Sequence, residues 1–238
     1  MSAPHRHRNP LRRFFRRTFP TALALALIAT LAAALQVREV RIVGVRRFPA
    51  RDVEAVLRSA LGSPTIATRA SALRARVRTV PWVADAAVRV SLDGVVTCVL
   101  LEREPVAVAV DEGVYQFVDR EGRLLATVSS IPSLLRLEGF AQFSEERSAF
   151  LAARSELERA WGTRIERAQR LGPHDVALRF AGSSPPVLAD PGRPEELVAA
   201  RRVLAAWTAK WSVPARLDAR LAGRVAVLPA PVAPEGES

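Results

Sequence analysis

Hydrophobic and polar positions divide the chain into stretches of different period. The first, Thr18 to Val37 (TFPTALALALIATLAAALQV), carries no charge and shows no alternation. About twenty such residues make roughly 30 Å of helix, the thickness of a bilayer's hydrocarbon core. A membrane-spanning helix is therefore expected over 18–37. A basic head, an apolar run and small residues (Ala32-Ala33-Ala34) also describe a cleavable signal peptide. Leu31, Leu35 and Val37 continue the run past those small residues, and Pro20 sits where the first turn of a helix tolerates it. Both readings send the remainder across the membrane.

The pattern then changes to short amphipathic pieces. Residues 38–47 alternate, with Val40 and Ile42 against Arg41 and Arg46, which predicts a strand with Gly44 as a bend. Val53, Val56, Leu57 and Leu61 have helical spacing over 50–61, closed by Gly62. A second helix is expected over 68–78, with Thr68 as N-cap and Leu73 and Val77 inward. Pro81 ends it. Residues 82–92 read as a strand with Val88, Val90 and Leu92 on one side and Arg89 and Ser91 on the other. Asp93-Gly94 is a hairpin signal, and 95–104 is the return strand, stopped by Pro105. The order is β-α-α-β-β, a three-stranded sheet with two helices covering one face.

Beyond Pro105, period-two runs occur at 106–110, 114–118 and 123–128, parted by acidic, Gly-containing turns. Residues 144–161 predict a helix with Ser144 as N-cap and Arg147 at the third position. Strands are expected at 164–170, 175–181 and 186–190, a helix at 194–211 behind Pro194, and a terminal hairpin at 215–220 and 223–228. Between 129 and 145 only Pro132 and Gly139 stand out. The closing Pro-rich, acidic residues 229–238 read as a disordered tail. The fold class is thus α+β: an N-terminal transmembrane helix, a β-α-α-β-β module, then a mixed, mainly antiparallel β domain with flanking helices. The boundaries are 1–17 for a basic tail, 18–37 for the anchor, 38–105 for the first module and 106–228 for the β domain.

Charge sharpens the membrane reading. Arg6, Arg8, Arg12, Arg13, Arg16 and Arg17 precede the apolar stretch without an acid among them. Basic flanks stay cytoplasmic, so the N-terminus is expected inside and the bulk outside. The net charge of +11 would suggest nucleic acid, but those six of 35 basic residues leave 29 against 24 acids. Lys210 is the lone lysine, and the remaining arginines read as a solvated mixed-charge surface, not a nucleic-acid site.

Catalytic constellations are missing from the sequence. Cys98 is a lone cysteine inside an alternating run, where burial explains it. Outside the head, His174 is the only histidine and follows Gly172-Pro173 in a turn. Glu145-Glu146 and Glu195-Glu196 open predicted helices, where they complement the helix dipole. Trp207 and Trp211 lie four apart on one helix, which predicts a packing stripe. No Walker-type loop or Gly-rich dinucleotide turn is present. No enzyme activity, cofactor, metal or small-molecule substrate is expected.

Several segments together resemble the FtsQ/DivIB family of bacterial cell-division proteins. They are Val80-Pro81-Trp82-Val83 with Ala86 and Val88-Arg89, then Glu102-Arg103 and Pro105-Val106-Ala107. Val118-Asp119 with Gly122 resembles the family's "VD-x-x-G" turn, and Leu217-Asp218 with Arg220 its late "iD-x-R" element. Leu221 stands where that element usually has an aromatic. The resemblance implies that the first module is a POTRA domain. It further implies a non-enzymatic divisome scaffold in the inner membrane, single-pass and of type II, at the septum. Such a scaffold links early and late division proteins, binds the partners FtsB and FtsL, and contributes to control of septal peptidoglycan synthesis. Carried over, the FtsB site falls on Arg220, Leu221, Ala222, Gly223, Val225 and Val227. A terminal strand followed by prolines is also an expected edge, open to strand addition by a partner. A second family surface maps to Asp85, Val88, Arg89 and Val90. The alternative is a POTRA-bearing chaperone or transport component of outer-membrane or secretion assembly.

Overall fold

A computed structural model describes residue 30 and residues 35–129, 133–182, 185–211 and 215–229. The basic head, the closing tail and nearly all of the apolar stretch lie outside the described residues. Among the described residues no helix is long and apolar enough to cross a membrane. The last three positions of the stretch, Leu35 to Val37, depart from the expected helix. The Leu35 carbonyl accepts the Thr65 N–H, and the Val37 N–H donates to Ser63. Val37 is buried, which ties this end of the stretch to the fold that follows.

Contacts divide the chain into two compact units that meet at Glu102 and Arg103. The first contains β1 (Glu39–Val43), α1 (Arg51–Arg58), α2 (Ala70–Val77), β2 (Val83–Val90) and β3 (Val95–Glu102). The sheet order is β1-β3-β2, with β1 parallel and β2 antiparallel to the central β3. On β3, Val96, Cys98 and Leu100 are buried while Val99 and Leu101 are exposed. That alternation gives the sheet one covered face, against which α1 presents Val53 and Leu57 and α2 presents Leu73 and Val77. Trp82 stacks on Phe48 with ring centroids 5.5 Å apart and is 1 % exposed.

Two helix ends differ from expectation. Helix α1 stops at Arg58, short of Gly62, and its residues after Arg58 turn back so that the Gly62 N–H donates to the Val37 carbonyl. Thr68 caps nothing: its hydroxyl donates to the Pro64 carbonyl, and α2 starts two residues later.

The second unit is a nine-stranded sheet with two helices. Its strands are β4 (Ala107–Asp111), β5 (Val114–Val118), β6 (Leu124–Val128), β7 (Leu135–Glu138), β8 (Ile165–Arg170), β9 (Val176–Phe180), β10 (Val187–Ala189), β11 (Ala215–Asp218) and β12 (Ala226–Pro229). The order is β12-β11-β10-β9-β8-β7-β4-β5-β6. Helix α3 (Ser144–Trp161) follows β7, and α4 (Pro194–Lys210) follows β10. Phe150, Leu157 and Trp161 of α3 and Leu197 and Ala200 of α4 share one core with the sheet's inward residues. Within it Trp161 stacks on Phe180 at 4.6 Å and Phe140 meets Phe150 at 5.4 Å.

Strand β7 is the element that the hydrophobic pattern did not announce. It is four residues long and lies mid-sheet, parallel to both β4 and β8. Its Leu135 and Leu137 point into the core, while Arg136 and Glu138 point the other way. With β10 and β11 also parallel, the sheet is mixed, and antiparallel pairs still predominate. The tryptophan stripe of α4 also departs from expectation. Trp207 and Trp211 pack on each other at 5.9 Å, and Trp211 is half exposed. The buried residues of α4 lie nearer its start, at Leu197 and Ala200.

Candidate functional site: two edge strands

Strand β12 ends the nine-stranded sheet, with β11 as its neighbour. Antiparallel pairing sets Ala226 against Asp218 and Val227 against Leu217. Leu217 is fully buried, and Val225 and Val227 are half-buried against the same core. These two valines therefore seat the strand, and the surface it offers is its outer backbone edge together with Leu228, which is half exposed. Among the described residues nothing pairs with that edge. Unpaired N–H and C=O groups in a row can take up another strand.

The turn before β12 is held by charge. Arg220 donates to Asp218 through Nε and Nη2 at 2.9 and 2.7 Å and lies 3.4 Å from Asp175. The Arg220 hydrogen bond is the main cause that lowers the Asp218 pKa, and Asp218 in return raises that of Arg220. Gly223 adopts a left-handed φ of +67° with open space around it, and its N–H donates to Glu196 at 2.8 Å. Ala222 and Leu221 are exposed between these fixtures. Glu196, expected only to complement the dipole of α4, thus also tethers the turn. No sequence signal links a helix-start glutamate to a glycine 27 residues on.

Strand β2 ends the three-stranded sheet on the other side from β1. Val88 pairs with Cys98 and Val90 with Val96, so both valines share the helix-covered face, half-buried. Arg89 is exposed. Asp85 follows a register shift in the β2–β3 pairing and is bound by Arg74 at 3.0 and 3.1 Å, with Arg78 at 3.6 Å. The Arg74 hydrogen bond and then the Ala86 N–H lower its pKa. Leu92 leaves the alternation altogether and is exposed in the hairpin. The first predicted set thus lies in β12 and the turn before it, the second in β2, and the two strands belong to different units.

The remaining segments that carried the resemblance have architectural work. Glu102 accepts the N–H groups of Arg46, Arg47 and Phe48 and so closes the loop after β1. Asp119 is 2 % exposed, binds Arg103 at 3.0 Å and accepts the Arg123 N–H. At Gly122, φ is +80° and an added Cβ would sit 2.5 Å from the Ser148 hydroxyl. Only glycine lets this turn approach α3 so closely. Arg147 then fastens it. Its buried guanidinium donates to the carbonyls of Gly122, Phe140 and Ala141 at 2.6–2.7 Å. Desolvation lowers its pKa, with Asp119 acting against that. The sequence placed Arg147 near the start of α3 but gave no sign that it is buried.

Residues 35–103 match the model of the POTRA domain, FtsQ-type. They form an FtsQ-type POTRA domain. Over these residues the resemblance to the FtsQ/DivIB family read from the sequence is borne out. Comparison with curated proteins gives no match. Among solved structures, the major extracytoplasmic domain of the trans isomer of the cell-division protein DivIB from Geobacillus stearothermophilus matches with 18% identity and a TM-score of 0.33. The match covers 44% of this chain and 93% of that one. A likeness of that size carries no argument about the β unit. The POTRA domain contributes β2, and the unit that follows it contributes β12.

Proposed function

We propose that this chain is a non-enzymatic scaffold of the bacterial division machinery. The observation that carries the reading is the FtsQ-type POTRA domain at 35–103. The apolar stretch beginning at Thr18 tethers the chain once through the inner membrane. The basic head is cytoplasmic, and the POTRA domain and β unit (106–228) work outside, at the septum. There the chain links early and late division proteins and helps to control septal peptidoglycan synthesis by holding FtsB- and FtsL-like partners. The FtsB-like partner adds a strand to β12, guided by the turn from Arg220 to Val225. Other division proteins meet Asp85, Arg89 and the edge of β2. An unpaired sheet edge with an exposed leucine in its strand, Leu228, and another in the turn before it, Leu221, supports strand addition.

Two experiments test this. Depleting the protein should give filamentous cells with incomplete septa, and normal division would refute the scaffold role. Capture of the organism's own FtsB/FtsL-like pair by the full chain should fall at least tenfold in L221D/L228D. Both side chains are exposed, so the variant should keep the wild-type circular dichroism. Undiminished capture by a folded variant would remove the edge from the proposal and leave the scaffold role standing.

A further inference from the structure

The face of the nine-stranded sheet that turns away from α3 and α4 carries a row of arginines. Core residues alternate with outward ones along each central strand: Leu135 and Leu137 of β7, Ala168 of β8 and Leu178 of β9 face the helices. Arg136, Arg167 and Arg179 point outward between them. They are also in register. Arg136 pairs with Arg167 across β7–β8, and Arg167 with Arg179 across β8–β9. Three guanidinium stems thus leave the sheet side by side, about 4.8 Å apart per strand and roughly 10 Å across.

Stability does not account for this row. Like charges set directly opposite each other across strands are destabilising. Glu138 neutralises Arg167 at 3.2 Å, whereas no ion pair joins Arg136 or Arg179 to an acid among the described residues. The β8–β9 pairing also shifts register between Ile165 and Arg167. With the earlier register continued, Arg167 would stand opposite Leu178, on the core side. The bulge turns it outward instead, and bulges commonly re-aim a side chain in this way.

The row separates two hollows. One, of about 430 Å³, is lined by Arg136, Arg167 and Arg179 of the row, by Arg164 and Glu166, and by Arg154, which reaches it from α3. Arg154 and Arg164 are already paired with Glu158 and Glu166, which leaves the row itself to meet a ligand. The other, of about 270 Å³, runs from Arg167 and Arg179 past Leu188 and Pro186 to Arg216. Guanidinium forks match carboxylates in two-point geometry. Pro186 and Leu188, in the hollow between Arg179 and Arg216, favour a ligand that carries apolar as well as acidic groups over a uniform polyanion. We propose that this face docks an acidic, partly apolar peptide segment of a protein partner, with its carboxylates on Arg136, Arg167 and Arg179. The surface is separate from the β12 edge and does not depend on it.

The test uses the full chain in a neutral detergent and a fluorescein-labelled decapeptide of Glu-Leu repeated five times. Binding measured by anisotropy should saturate, weaken with added salt, and fall at least tenfold in R136E/R179E. The neutral pair R136Q/R179Q repeats the measurement should charge reversal unfold the sheet. R120E/R202E, which changes two exposed arginines elsewhere in the same unit by the same charge, should bind within twofold of wild type. L221D/L228D should also bind normally. Absence of saturable binding would overturn the proposal, as would equal losses in the control pair. Loss only in L221D/L228D would assign the peptide to the β12 edge. Displacement by inorganic polyphosphate at a lower charge concentration than by polyglutamate would make the ligand a phosphate polymer, and the acidic-peptide assignment would fall.

Discussion

The POTRA domain and the β unit close their folds by different means. In the POTRA domain the fastenings are Trp82 on Phe48, two eight-residue helices on a three-stranded sheet, and Glu102, a carboxylate that gathers three consecutive N–H groups of one loop. In the β unit a single buried cation gathers three carbonyls from two separate turns. A small sheet with one covered face can be specified by alternation and by where its helices sit. The wider sheet must also join separate turns to each other, and here the buried Arg147 does so by holding the carbonyls of Gly122 on one side and of Phe140 and Ala141 on the other. The comparison predicts that each unit breaks at its own fastening.

Trp82→Ala should give the largest effect. Emptying so large a buried site costs about 3–5 kcal/mol, and the loss falls in the POTRA domain. Cys98 reports on it without any added probe. It is the only cysteine, it is fully buried, and burial pushes its thiol up to about 11. In the wild type it should resist a thiol reagent until the domain opens. In Trp82→Ala its labelling should quicken by more than a hundredfold. Unchanged labelling would mean that the Phe48–Trp82 stack does not hold the domain shut.

Arg147→Met removes the donors and keeps most of the volume. Three buried carbonyls then lack partners, at a cost of about 3 kcal/mol after partial rehydration. Hydrogen exchange should accelerate over 114–128 and the start of α3. Cys98 labelling should stay slow, because the reporter sits in the other unit. Fast Cys98 labelling in this variant would erase the contrast between the units.

The same contrast explains what the sequence revealed. Every POTRA strand and helix was legible within four residues at each end, because β3 alternates cleanly and Pro81, Gly94 and Pro105 mark the joints. In the β unit, both ends of α3 were legible from its period, although Ser144 is its first residue and not its cap. Strand β7 was not. Its four residues, Leu-Arg-Leu-Glu, are too few to establish a period, and its place is fixed by two parallel neighbours far away in sequence. The two proposed edges were legible as terminal or hairpin strands. That Val225 and Val227 point into their own core, and that Glu196 and Asp175 hold the turn before β12, depends on pairings no local pattern encodes. The arginine row was hidden for the same reason. Arg136, Arg167 and Arg179 are scattered among many arginines, and only register aligns them.

Glu102→Gln should be the smallest of the three perturbations, and its pH dependence is the informative part. Burial disfavours the Glu102 carboxylate, but the N–H groups of Arg46, Arg47 and Phe48, with the charge of Arg47, outweigh it and leave the pKa below 4.5. A carboxyl whose folded pKa is depressed contributes stability that is present above its unfolded pKa and is lost as pH falls through the folded value. Wild type should therefore exceed Glu102→Gln by about 1–2 kcal/mol at neutral pH, with the gap closing below about pH 4. Denaturant titrations of both proteins at several pH values, read by Cys98 labelling above pH 7 and by circular dichroism below it, would check this. Should burial be the stronger influence, the folded pKa would be raised, and the glutamine variant would gain on wild type as pH rises. The sign of that slope decides whether the loop after β1 is fastened by a charge, as the turn beside α3 is by Arg147, or only by the shape of the POTRA core.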